Sequence, residues 1–155
     1  MDKNKIAASV ILYCPTKEHL YNIKNYVNEV GHVFIYDNTP KEKIQYDHKY
    51  IINIFSGIMR KHVTYTGTGE NIGIGEALNI TSRLAIKKKF KFIITLDQDT
   101  VIESGIIERI CREFDKINFK NVGIIAPSME WAGNKKRRNK FNSKLQISKT
   151  LLVIT

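Results

Sequence analysis

Phe92-Ile93-Ile94-Thr95-Leu96-Asp97-Gln98-Asp99-Thr100 is an apolar, β-branched run that stops at two carboxylates. Five consecutive residues suited to a pleated strand are too few for an ordinary helix. Apolar–polar alternation is absent, as expected of a central strand in a parallel sheet covered on both faces. In open α/β sheets, ligands bind at the carboxyl ends of the strands. Asp97 and Asp99, two residues apart at such an end, can direct oxygens at one small volume, as a hard cation such as Mg²⁺ requires. A solvated turn is the plainer account, because Asp is common in turns and caps.

The chain on either side supplies the rest of an α/β pattern. Ile6 to Cys14 reads as a strand ended by Pro15. Thr16 is an N-cap candidate, with His19, Leu20, Ile23, Tyr26 and Val27 at helical spacing behind it and Gly31 placed as a C-cap. His32 to Tyr36 is a second strand, running into Asp37-Asn38-Thr39-Pro40. Strand, helix and strand within about thirty residues make a βαβ unit. Lys41 to Phe55 is mixed, and Ile51 to Phe55 fits either a strand or part of a helix. His62 to Thr66 is a third strand, followed by a loop rich in glycine from Gly67 to Gly75.

From Ile74 the spacing predicts a helix with Ile74, Ala77, Leu78, Thr81, Leu84 and Ala85 on one face. Lys87-Lys88-Lys89 falls in its last turn, opposite the negative helix end. Beyond the carboxylates, Ser104 to Ile117 reads as a helix and Val122 to Ala126 as a strand. Asn134 to Lys140 is a basic loop, and Leu145 to Thr155 alternates weakly and ends as an apolar strand. A chain stopping there is expected to be a fragment or a truncated product. No repeat or linker interrupts residues 1–155, so one domain is expected. The alternation implies a three-layer α/β/α sandwich with a mainly parallel sheet and right-handed crossovers.

Composition sets the bounds. With 155 residues, 43% hydrophobic and 26% charged, the chain can build a core and is not disordered. Its formal net charge of +10 favours anionic partners without choosing among nucleotide, nucleic acid and anionic membrane. Cys14 and Cys111 have no metal-ligand spacing and imply no disulfide framework, so a reducing compartment is expected. The apolar stretch near the N-terminus holds Tyr13 and Cys14 and ends at Pro15, which suits a first strand better than a signal peptide. No run approaches the roughly 18 apolar residues of a membrane span.

Three predicted strand ends carry residue types suited to ligands: Pro15 and Thr16, Asp37 and Asn38, and Asp97 and Asp99. In a doubly wound sheet they face one crevice. The glycine loop adds backbone amides near a helix start, suited to an anion. Two better-known motifs fail. G-x-G-x-x-G breaks at Ile72 after Gly69 and at Leu78 after Gly75, and the G-x-x-x-x-G-K-[ST] loop is absent. Asp97-Gln98-Asp99-Thr100-Val101 does match the D-x-D-x-[TV] signature of aspartyl-nucleophile phosphatases, with Asp97 as nucleophile and Asp99 as acid/base. That signature normally follows a first strand, and here an α/β region precedes it.

Four segments together resemble family 2 glycosyltransferases, most closely the bacterial rhamnosyltransferase branch. They are Tyr13 to Pro15, Ile35 to Pro40, Glu70 to Ile80 and Phe92 to Thr100, in the family's order and spacing. The resemblance implies a GT-A fold and inverting transfer of a sugar from a nucleoside diphosphate donor, dTDP-rhamnose or a UDP-sugar. It places Tyr13 and Pro15 beside the base, Asp37 at base or ribose, and Asn71 and Gly73 in the nucleotide pocket. Asn79 would support that pocket from the helix, while Asp97 and Asp99 hold Mg²⁺ or Mn²⁺ against the diphosphate. Cys14 stands where Asn is usual, and Thr81 where Gly is usual. The family's general base is expected beyond Thr155. Glu130 and a sugar-stacking Trp131 are outside chances for the acceptor side.

The implied role is polysaccharide biosynthesis in the cytoplasm or at the inner face of the membrane. A saccharide or lipid-linked acceptor would be the second partner, and the basic loop is a candidate membrane contact. Nucleic acid is not assigned as a partner. A basic nucleic-acid-binding module is nevertheless an alternative, as is a fragment that forms homodimers through an exposed edge.

Overall fold

A computed structural model of the chain describes residues 2–116, 124–126 and 146–148. Four parallel strands, β1 (Ile6–Leu12), β2 (His32–Asp37), β3 (Val63–Gly67) and β4 (Phe92–Asp97), form a sheet in the order β3-β2-β1-β4. Helices α1 (Lys17–Tyr26), α2 (His48–Ile54) and α3 (Ile74–Lys87) connect them, and α4 (Ile106–Asp115) follows β4. The chain divides into two compact units, Met1–Arg112 and Glu113–Thr155. In the second, β5 (Ile124–Ala126) pairs antiparallel with β6 (Gln146–Ser148), Ile125 opposite Ile147. The expected strand at Val122 to Ala126 is therefore present in part, but in a separate sheet. Glu130, Trp131, Asn134 to Lys140 and Leu151 to Thr155 lie outside the described residues.

Successive side chains of a strand point to opposite faces, and β1 shows what covers each one. Ile6, Ala8, Val10 and Leu12 join Leu20 and Ile23 of α1, Ile51 of α2, and Ile107 and Cys111 of α4 in one core. Ala7 joins Phe34 of β2 and Ala85 of α3 in a second, smaller one. Ser9, on the same side as Ala7, meets the Thr81 hydroxyl of α3 at 2.6 Å. Thr81 also donates to the Leu78 carbonyl at 2.9 Å, so the hydroxyl is satisfied while buried. Helices thus cover both faces of the sheet.

Strand order explains the division. From β1 to β2 to β3 the chain steps one way, and α3 then returns it to the far side of β1. A right-handed crossover running the other way must lie on the opposite face. That is the face on which α3 packs.

Two sequence expectations are corrected here. Among the described residues Phe92 to Leu96 is the last strand of its sheet and not a central one: β4 pairs with β1, and no described strand flanks its other side. β2 is buried along its whole length, and β1 everywhere but at half-buried Ile11. Missing alternation reported two faces packed by helices, since Phe92, Ile94 and Leu96 meet one core and Ile93 the other. It carried no information about the lateral position. Gly31 does not cap α1 either, because the helix ends at Tyr26 and continues as a 3-10 turn over Val27–Glu29. Gly31 is instead a close approach, where a Cβ would lie 2.6 Å from the Asn4 carbonyl oxygen.

Other local expectations are met. Thr16 caps α1, accepting from His19 N–H at 3.3 Å while His19 Nδ1 accepts from Thr16 N–H at 3.3 Å. The ambiguous 51–55 stretch belongs mainly to α2, whose first turn is capped by Asp47. On α3, Ala77, Thr81 and Ala85 are buried as expected, whereas Ile74 is 62% exposed.

Candidate functional site

A line of hydrogen bonds crosses the carboxyl ends of all four strands. At β4, the Asp97 carbonyl accepts from Thr100 N–H at 3.0 Å, closing a turn over Asp97-Gln98-Asp99-Thr100. Gln98 Oε1 accepts from Tyr13 N–H at 2.9 Å, and Gln98 Nε2 donates to the Tyr13 carbonyl at 3.3 Å. The next residue, Cys14, takes a left-handed φ of 46° and donates its N–H to Thr39 Oγ1 at 2.8 Å. Thr39 N–H donates to Asp37 Oδ1 at 3.0 Å, and the Tyr65 hydroxyl of β3 donates to Asp37 Oδ2. Burial and the Asp37 carboxylate push the Tyr65 phenol well above its ordinary range.

Against this line lies a cleft of 520 Å³, lined by Ile11, Tyr13, Asn38, Asn71, Gly73, Ile74, Leu78, Thr95, Leu96 and Asp97. The register explains its floor. Ile11 pairs with Asp97 and Ser9 with Thr95, so Ile11, Thr95 and Asp97 share the face that α3 covers further down. The cleft opens where the strand order turns back between β1 and β4, the switch point at which open α/β sheets bind ligands. Its other wall is the start of α3. Gly73 precedes that helix with φ 82°, a conformation that favours glycine.

Asn38 and Asn71 hold that wall in place. Asn38 Oδ1 accepts from Ile72 N–H at 2.8 Å, and Asn38 Nδ2 donates to Asn71 Oδ1 at 2.8 Å. Asn71 Oδ1 also accepts from Gly73 N–H at 3.0 Å. The Asn71 oxygen is thereby committed to two donors, and Nδ2 is the part of this cleft-lining side chain that keeps the capacity to donate. At the rim, Lys43 Nζ donates to the Tyr13 hydroxyl at 3.4 Å, which raises the Lys43 pKa.

Asp97 brings the one carboxylate that lines this cleft among the described residues. Asp99 is exposed two residues further along the same turn. Among the described residues no group of three or more His, Cys, Asp or Glu is assembled to hold a metal ion. A closed protein cage is therefore not what these residues form. They fit the other common arrangement, in which Mg²⁺ takes one or two carboxylates and completes its octahedron with waters and substrate phosphates.

The structure brings Tyr13, Asn71, Gly73 and Asp97 to one cleft. It separates others. Asp37 is buried, with both carboxylate oxygens bonded, and lines a second cavity of 430 Å³ with Thr39, Tyr46, His48, Tyr65 and Gly69 among others. Pro15 is buried behind Tyr13 in the chain. Asn79 is exposed on α3, where its Nδ2 donates to Glu76 Oε2 at 3.3 Å. Arg83 bonds the same Glu76, and these contacts hold the Glu76 carboxyl below its usual range. The expected support of the pocket by Asn79 is thus replaced by a surface contact, because its position on the helix faces solvent. Gln98, Thr39 and Tyr65 join the site without having been expected. Thr39 and Tyr65 act through partners distant in sequence, and Gln98 was hidden between two more conspicuous carboxylates.

Among the described residues, no helix is long and apolar enough to cross a membrane. Comparison with known proteins gives no match: no family model, no curated protein and no solved structure matches the chain.

Proposed function

We propose that the chain is the donor-binding part of an inverting, rhamnosyltransferase-like family 2 glycosyltransferase of GT-A type, acting in polysaccharide biosynthesis. The observation that carries this reading is the cleft at the β1–β4 switch point, with Asp97 on one wall and the start of α3 on the other. The donor is a nucleoside diphosphate sugar, dTDP-rhamnose or a UDP-sugar. The acceptor is a saccharide or a lipid-linked saccharide, met in the cytoplasm or at the inner membrane face.

Each residue has a role that its environment supports. Tyr13, 41% exposed, offers a ring face to the base. Asn71 Nδ2 donates to the nucleotide. The positive end of α3 favours the diphosphate from one side. From the other side an unscreened Asp97 would repel it, which is the electrostatic reason for a cation there. Asp97 and Asp99 would hold Mg²⁺ or Mn²⁺, and the ion would supply Lewis-acid stabilisation of negative charge on the diphosphate. Asp37 supports Thr39 and Tyr65, and so acts on the cleft from behind.

Calorimetric titration of dTDP and UDP, with and without Mn²⁺, tests the reading on the wild type and on Asp99→Ala. Nucleotide binding strengthened by Mn²⁺, with the strengthening lost in the variant, is the expected outcome. Failure of both nucleotides to bind the wild type overturns it. A phosphatase assay on the same sample then addresses Asp97 as a covalent nucleophile.

A further inference from the structure

We propose that Gln98, between the two carboxylates, is a positioning residue that fixes the Tyr13 wall of the cleft against the Asp97 turn. The inference rests on the nucleotide-binding reading above. β1 and β4 run in register only as far as Ile11 opposite Asp97. There β4 turns away, closed by the bond from Thr100 N–H to the Asp97 carbonyl, and the peptide groups beyond Leu12 lose a strand partner on that side. The Gln98 side chain replaces it. A primary amide carries one acceptor and donors in nearly the geometry of a peptide group, and Gln98 uses both on one residue. Its oxygen takes Tyr13 N–H at 2.9 Å and its nitrogen reaches the Tyr13 carbonyl at 3.3 Å.

The consequence lies in what Tyr13 does next. Cys14 turns left-handed at φ 46° and is tied to Thr39 at 2.8 Å, so Tyr13 hangs between two anchors, one on β4 and one beyond β2. Without Gln98 the backbone anchor on β4 is gone, and Tyr13 keeps the Cys14–Thr39 tie and the long Lys43 contact to its hydroxyl. The ring that borders the cleft would then sample positions away from Asp97. The same turn therefore supplies the carboxylates and sets the opposite wall at a fixed distance from one of them.

A double-mutant cycle tests this, with Gln98→Leu and Tyr13→Ala read by titration of dTDP and UDP in the presence of Mn²⁺. A Tyr13 segment freed of this anchor and binding-competent about one-tenth of the time lowers the affinity about tenfold for Gln98→Leu in the Tyr13 background. In the Tyr13→Ala background the same change is expected to cost less than about twofold, because the ring it positions is gone. Equal losses in both backgrounds, or no loss in the first, overturn the positioning role while leaving the nucleotide reading intact. A wild type that binds neither nucleotide fails at the earlier step and removes both. Thermal melting of each variant separates misfolding from misplacement. A Gln98→Leu protein that melts with the wild type and still loses affinity supports the assignment. One that loses affinity only in proportion to unfolded protein overturns it.

Discussion

Asp37 and Tyr65 form a protected polar contact behind the cleft. Asp37 is 5% exposed and meets the Tyr65 hydroxyl on one oxygen and Thr39 N–H on the other. A buried acceptor left without its donor loses a desolvation penalty's worth of stability, about 1–3 kcal/mol. Tyr65→Phe is therefore expected to lower the unfolding free energy by that amount, read as a lower denaturant midpoint at unchanged slope. Asp37→Asn alone also removes charge from the pair. The double variant should cost less than the sum of the two, because each single change already removes the charge-assisted bond that the pair shares. Additive losses in equilibrium unfolding would show that Tyr65 stabilises β3 by packing alone.

Helices and strands show where sequence is informative and where it is not. The N-terminus of α1 was legible because Thr16 and His19 lie three residues apart and cap each other locally. β4 was legible as a strand with carboxylates at its end, from contiguous residues. Its place at the end of the sheet, among the described residues, was not, since a strand packed by helices on both faces has the same composition whether or not a further strand flanks it. The site divided in the same way. Tyr13, Asn71, Gly73 and Asp97 sit at element boundaries that local spacing reveals, whereas Asp37 was drawn away by Tyr65, a partner twenty-eight positions along the chain. Gly31 is the sharpest case. A glycine following a helix reads as a cap, yet here it lets the start of β2 pass Asn4 and Phe90, where a Cβ would lie 2.6 Å from Asn4 O and 2.9 Å from a Phe90 ring carbon. Gly31→Ala should accordingly destabilise the protein by about 1–3 kcal/mol, the usual cost of overpacking. A variant as stable as the wild type in urea would mean that the segment before β1 yields without cost.

At the scale of the molecule, the sheet has an end that carries the cleft and an opposite end where His32 starts β2. His32 is 5% exposed, and its Nε2 lies 2.8 Å from Thr64 Oγ1 and 3.3 Å from Lys88 Nζ at the end of α3. An ammonium only donates, so Nε2 accepts and the imidazole is neutral. Burial first, then the charges of Lys88 and His62, lower the His32 pKa from 6.5 to about 4. Above pH 6.5 the ring is neutral in both folded and unfolded chains and contributes no pH dependence. As pH falls from 6.5 to 4, the unfolded chain binds a proton that the folded one refuses, so stability falls across this window and the effect is complete below it. Its full size is about 3 kcal/mol at 1.36 kcal/mol per pKa unit. The chain carries a formal net charge of +10 at neutral pH, so acid also raises self-repulsion, but nearly equally in His32→Gln. Denaturant unfolding of both proteins at pH 7 and pH 4 should thus show the wild type losing about 3 kcal/mol more than the variant. Parallel losses would mean that His32 takes up its proton in the folded state and that Lys88 moves aside to admit it.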